Sequence, residues 1–255
     1  MKTSFLNSRK CSIASAVGLL LTLGTSTPLF TRLAQANSDT QPSQSALVTD
    51  INSERSPQFL RLLSKWQGAY GTSAVHPLIS IAQDKRNSDR VRYIAIMGAA
   101  KLGGTATAPL IAPLLNDKIW LIRSAALRAL SALKDPKTAS AVLPLMKDPA
   151  LAVRLEAVDA IRELRPPGAS RALLTALHSQ ENYRFGKSQW VPEHSLQALA
   201  ALKDPSIASE LKPLLDHRKD PELQKETIKT LEALTGKKTD TKLSFEEQIE
   251  SWKKN

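Results

Sequence analysis

Histidines, a serine–lysine pair and a set of recurring arginines are the residues of this chain with chemistry to offer, and their spacing sorts them. His76, His178, His194 and His217 are dispersed, and only Glu193-His194 sets a histidine beside a carboxylate. His178 and His194 without a placed carboxylate or thiolate make a poor metal site, because zinc and the transition metals take three or four protein donors. Ser131-Ala-Leu-Lys134 fits the S-x-x-K pattern of a lysine-activated serine. In a chain rich in serine and lysine such a match arises by chance, and neither a G-x-S-x-G elbow nor a glycine-rich phosphate loop accompanies it. Neither a metal, a cofactor nor a catalytic nucleophile is therefore expected.

The arginines are regular. Val91-Arg92, Ile122-Arg123 and Val153-Arg154 follow one another at 31-residue intervals, as do Leu102, Leu133 and Leu164; Asp117 and Asp148, and Pro113 and Pro144, keep the same interval. A fixed period of about 20–50 residues is the signature of a solenoid. Each unit holds two apolar-periodic segments, for example TASAVLPLMK and LAVRLEAVDAIREL, parted by turn pairs such as Asp135-Pro136 and Asp148-Pro149. Each unit thus reads as a helical hairpin, which buries both apolar faces only by stacking on its neighbours. Composition agrees, since 42% of residues are hydrophobic but only 5% aromatic, a balance that favours close-packed helices over strands. Pro113, Pro144 and Pro213 fall inside first segments, where a recurring proline implies a shared kink or a late helix start.

On these residues the chain resembles HEAT-repeat proteins of the short-repeat kind related to the phycobilisome lyases. The carriers are Asp117 with Ile122-Arg123, Ala126, Leu130 and Leu133, then Asp148 with Val153-Arg154, Ala157, Ile161 and Leu164. The resemblance covers roughly residues 74–236, and LEALTGKK with SFEEQIESW is similar to the end of such arrays, where a capping helix carries a tryptophan, here Trp252. It implies an all-α fold, an α–α superhelix of about five hairpins with N- and C-terminal capping helices. It also implies that Arg92, Arg123 and Arg154 form a structural ladder with Asp117 and Asp148 between neighbouring turns. About function it implies little, because this architecture serves scaffolds, lyases and hydroxylases alike. The repeated His-Glu pairs of the di-iron hydroxylases do not occur here in that order.

Two units depart from the pattern. The fourth is seven residues longer and has Pro192 at the arginine position; the fifth has Gln224 there, so the ladder is expected to stop after Arg154. The extra length is HSQENYRFGKSQWVPEH, residues 178–194, which brings Tyr183, Arg184, Phe185, Lys187 and Trp190 into a segment the repeat does not require. Insertions in solenoids become loops, often on the binding face, and tyrosine, tryptophan and arginine are enriched at binding hot spots. The segment reads either as a partner-binding loop or as a long turn whose aromatics fold back onto the next hairpin. Trp120 either extends the same surface or plugs the space between helices.

The first 36 residues read as an export signal: Lys2, Arg9 and Lys10, an apolar stretch over 14–23, and Ala34-Gln35-Ala36 as the cleavage site. An uncleaved anchor is the competing reading, but Ser, Gly and Thr leave too short an apolar run for a span of about 20 residues. The one cysteine, Cys11, lies in this leader without a lipoprotein pattern, so the mature chain is expected to hold no disulfide. Cleavage after Ala36 takes the formal charge from +11 to about +7. The domain reading is a polar linker over 37–53, a capping helix in 54–73, the solenoid over 74–236 and a capping segment from 237 to 255.

Charge is scattered and no basic stripe with interleaved aromatics appears in the sequence, so nucleic acid is not expected as a partner. The reading is an exported, non-enzymatic scaffold that binds a protein or peptide along its concave face. The alternatives are a lyase-like enzyme or chaperone acting on a protein, and an envelope-associated structural protein with weak contacts to anionic surfaces.

Overall fold

The structure, a computed structural model, describes residues 41–53 and 59–254. The leader with Ala36, and residues 54–58 of the expected capping helix, lie outside them. Helices α1 (Gln44–Ser53) and α2 (Phe59–Ala69) come first. The polar-linker reading of 37–53 is corrected over 44–53. Leu47 and Ile51, one helical turn apart, are fully buried, so a single apolar stripe docks an otherwise polar helix on the first hairpin.

That hairpin joins α3 (Val75–Gln83) to α4 (Asp89–Gly103). Arg90 Nη1 donates to the Ile51 carbonyl at 3.2 Å and Asp50 accepts Trp66 Nε1 at 3.0 Å, which ties both leading helices to it. Trp66 is fully buried across Gly98, where a Cβ would meet its ring at 2.8 Å.

The second hairpin opens with 3₁₀ turn Gly104–Thr107, short α5 (Ala108–Ile111) and 3₁₀ turn Ala112–Asn116, then returns as α6 (Trp120–Leu133). The third has a 3₁₀ stretch Ala139–Lys147 and α7 (Leu151–Leu164). In the fourth, α8 (Ala169–His178) leads through antiparallel strands β1 (Tyr183–Arg184) and β2 (Lys187–Ser188) into α9 (Trp190–Leu202). The fifth comprises 3₁₀ turn Pro205–Ile207, α10 (Ala208–Leu211), 3₁₀ turn Lys212–Asp216 and α11 (Pro221–Thr235). Helix α12 (Phe245–Lys254) closes the array, its Trp252 buried and donating to Thr239 Oγ1 at 3.0 Å.

The prolines account for the uneven first segments. Around Pro113, Pro144 and Pro213 the chain winds as 3₁₀. A proline removes one i→i−4 bond and presses its ring on the preceding turn, and tighter winding accommodates both. Helix α8 has no proline and is a regular α-helix.

Second helices α4, α6, α7, α9 and α11 pack on one another in chain order, more extensively than the first segments do, and so form the inner layer of the stack. Small side chains permit this approach: Ala95, Ala126 and Ala157 are fully buried at equivalent positions of successive helices. Ser195 takes that place in α9, also fully buried, and its hydroxyl has no hydrogen-bond partner among the described residues. Helices α6, α7 and α9 end on Lys134, Arg165 and Lys203 in the left-handed conformation, with φ of 52°, 48° and 58°. A Cβ there costs about 1–2 kcal/mol, partly offset by a cation at the negative end of each helix dipole.

Replacing Ser195 by Ala removes a desolvated hydroxyl and is expected to raise stability by about 1 kcal/mol in urea unfolding. Gly98→Ala, which drives a methyl into the Trp66 ring, is expected to lower it by about 2 kcal/mol in the same measurement.

Candidate partner-binding surface

The turn between the two helices of each hairpin is fastened to the next turn by a rung of side chains. Arg92 is buried; its Nε donates to the Ala82 carbonyl at 2.7 Å and its guanidinium forms a close ion pair with Asp117 of the next turn. One unit on, Arg123 grips Asp148 through Nε at 2.6 Å and Nη2 at 2.7 Å, while Nη1 donates to the Asp117 carbonyl at 2.8 Å. The guanidinium fork suits this task because it reaches a carboxylate with two parallel donors and still has one for the backbone.

Arg154 belongs to the same series, with a change of partner. Its Nη1 donates to the Asp148 carbonyl at 2.8 Å, and its Nε donates to Asn182 Oδ1 at 2.8 Å. Asn182 is fully buried and returns a bond to the Ala176 carbonyl at 3.0 Å. The rungs therefore do not stop at Arg154. The next is carried by Ser188, whose N–H donates to Asp220 Oδ2 at 2.6 Å, and Gln224 at the arginine position donates to the Leu215 carbonyl at 2.6 Å. Asn182, Ser188 and Asp220 escape notice in the sequence because an amide and a hydroxyl replace the charged pattern. A usable signal existed for Asp220, since Asp220-Pro221 repeats the turn pair Asp148-Pro149.

Asp117 and Asp220 both sit below the usual carboxylate range. Burial pushes each up most strongly, but hydrogen bonds pull further down: the Arg92 guanidinium and the Ile119 N–H for Asp117, the Ser188 hydroxyl and N–H for Asp220.

The long turn of the fourth unit divides its aromatic residues between two roles. Tyr183 is half-buried, its hydroxyl donates to the Leu177 carbonyl at 2.6 Å, and its ring lies 5.6 Å from that of His217. Burial, with the Asp220 charge beside it, pushes the phenol up to about 12. Tyr183 is thus a wedge that holds the turn, the folded-back alternative of the two, and is not free to bind a partner as the first alternative expects. Arg184, Phe185 and Lys187 form the exposed ribbon tip, where Phe185 and Gly186 have φ of 55° and 78° and Phe185 is 89% exposed. Trp190 starts α9 and is 61% exposed; Trp120 starts α6 and is 49% exposed, so it is no interhelical plug.

Between α4, α6 and α7 the inner layer holds a groove of about 460 Å³ with Tyr93, Trp120, Leu121, Arg128, Leu155 and Asp159 on its walls. Arg128 spans it, donating to Glu156 at 2.8 Å and to the Tyr93 hydroxyl at 3.4 Å. Trp190 continues the strip, because Leu121, Ala152 and Trp190 hold equivalent positions in successive second helices and both Ala152 and Trp190 are exposed. Further along, Asp159 lies 3.4 Å from both His194 Nδ1 and Arg162 Nη2. Among the described residues no three His, Cys, Asp or Glu side chains gather as metal ligands would.

An all-α solenoid of stacked hairpins with an inner groove defines the class of protein. Residues 75–150 match the family described as HEAT repeats. Among solved structures, an engineered protein is 18% identical with a TM-score of 0.47, over 84% of this chain and 94% of that one. The complex of CpcE and CpcF of phycocyanin lyase from Nostoc sp. is 15% identical with a TM-score of 0.33, over 93% of this chain and 99% of that one. The comparison with curated proteins returns no match.

The two kinds of rung predict different responses to acid. Asp117→Asn leaves Arg92 buried without its anion and is expected to cost about 3 kcal/mol at neutral pH. The stabilisation by Asp117 is complete above its unfolded value of about 3.9 and is lost as pH falls through the depressed folded value. The deficit of the variant should therefore shrink below about pH 4. Asn182→Ala, with no titrating group removed, should cost about 2 kcal/mol with no such shrinkage. Urea unfolding at pH 7 and pH 3 checks both.

Proposed function

We propose that this protein is an exported scaffold that binds a protein or peptide along its inner layer and acts by binding, not by catalysis. The observation that supports this most is the half-exposed apolar strip running across three successive second helices, from Trp120 and Leu121 through Leu155 to Trp190. Soluble chains rarely leave several large apolar side chains aligned on one face unless something covers them. Tryptophan is also the commonest anchor of binding interfaces, giving a large contact for little loss of side-chain freedom.

The dimensions describe the ligand. Packed helices lie about 8–10 Å apart, so Trp120 and Trp190, two helices apart, stand about 16–20 Å from one another. An extended chain covers that distance in about five or six residues. The partner segment is an extended stretch with two apolar anchors at that spacing, and Arg128 and Asp159 meet its polar groups between them.

Selection of random linear peptides displayed on phage is expected to enrich that pattern. Trp120→Ala/Leu155→Ser should weaken the selected peptides at least tenfold, about 1.4 kcal/mol, as read by fluorescence titration. No enrichment, or unchanged affinity in the variant, sinks the binding reading. Export is tested separately. The protein recovered from the cell envelope fraction should begin at Asn37, whereas an intact chain in the cytosol refutes cleavage after Ala36.

A further inference from the structure

Every hairpin carries one exposed lysine in the turn between its two helices: Lys85, Lys118, Lys147, Lys187 and Lys219. Successive turns lie more than 25 residues apart in sequence, but the rungs place them side by side along one edge of the stack. With helices spaced about 8–10 Å apart, five turns extend over roughly 40 Å. The interval matches the Debye length of about 8–10 Å at physiological salt, so neighbouring charges act together on a surface laid against them.

Three carboxylates of this edge are spent inward, whereas Asp89, Glu181 and Asp216 are exposed. Asp117 and Asp148 are held by the guanidinium groups of Arg92 and Arg123, and Asp220 by Ser188. Asp216 is paired with Lys253 and Asp84 with Arg86. By contrast, Lys118, Lys147, Lys187 and Lys219 enter no ion pair among the described residues. Arg184 and Arg218 add exposed positive charge at the fourth and fifth turns.

Large apolar side chains stand among these cations. Of the five exposed large hydrophobic residues among the described ones, Ile119, Trp120, Phe185 and Trp190 belong to this edge and Leu60 does not. Phe185 is held at the ribbon tip in a left-handed conformation that a side chain rarely adopts, with the Arg184 guanidinium 5.4 Å from its ring. Tryptophan at the headgroup level with lysine and arginine around it is the composition of a membrane-interface anchor. A polyanion needs only the charge; aliphatic Ile119 and the projecting Phe185 fit acyl chains.

We infer that the inter-helix turn edge docks on an anionic lipid surface, with the lysine row on the headgroups and Phe185, Trp120 and Trp190 at the acyl boundary. Trp120 and Trp190 also stand on the inner strip, so a bound peptide and a lipid surface compete for them.

The test is flotation of the full chain with vesicles of phosphatidylglycerol and phosphatidylcholine, against phosphatidylcholine alone, with bromine-labelled acyl chains to quench tryptophan. Each lysine near an anionic surface contributes about fivefold in affinity. Lys118→Gln/Lys147→Gln/Lys187→Gln, with its helical circular dichroism unchanged, should therefore bind about a hundredfold more weakly. Phe185→Ala should reduce quenching and binding together. Binding that survives in the lysine variant, as insertion of the leader at 14–23 would, overturns the inference. So does equal binding to heparin or a single-stranded oligonucleotide without a lipid requirement, and so does failure to float with anionic vesicles at low salt.

Discussion

A guanidinium fork buried between two turns is the interaction on which the rest of the molecule depends. Hydrophobic burial makes hairpins stack but does not say where, because an apolar face slides past another at little cost. Arg92, Arg123 and Arg154 fix that register, since each is satisfied only when the next turn offers an acceptor at one place. The acceptor is Asp117, then Asp148, then Asn182. A buried charge left unpaired costs several kcal/mol, so slipped stackings are excluded more strongly than the correct one is favoured.

The change from aspartate to asparagine at Asn182 coincides with the largest irregularity in the array. The fourth unit must cross a longer turn, and its ribbon is tied at several points: Asn182 to Arg154, Tyr183 to the end of α8, Ser188 to Asp220. With these bonds made, the tip residues Arg184 to Lys187 project without loosening the stack. An insertion that would otherwise break the repeat thus becomes a protrusion tied at its base, with Phe185 at its tip in the left-handed conformation.

Stacking also sorts the surface into distinct regions. Residues on the inward helices line a groove that mixes apolar side chains with bridged charges, while at the turns Asp117, Asp148 and Asp220 face in and the lysines face out. The same rung that sets register therefore shapes the electrostatics, since drawing Asp117 and Asp148 into buried pairs leaves the lysines beside them uncompensated. The stack of hairpins in this way carries a groove on its inner layer and a row of cations along its turns, each formed by residues remote in sequence.

By itself the sequence determined the hairpins and their 31-residue period, because each depends on residues within one unit or at a constant offset to the next, while the arginine–aspartate pairing and the terminal tryptophan cap came from the resemblance to HEAT-repeat proteins. It did not reveal that 44–53 is a docked helix, since two buried residues in a polar segment make too weak a pattern. Nor did it reveal the role of Asn182, or decide between the two roles open to Tyr183, because their partners Arg154 and His217 belong to neighbouring hairpins. The cationic edge was equally invisible: one lysine in each turn looks scattered along a chain and becomes a row only when the turns are set side by side. Periodicity is a local property that a linear reading captures, whereas a surface is assembled from residues that only the packed helices bring together.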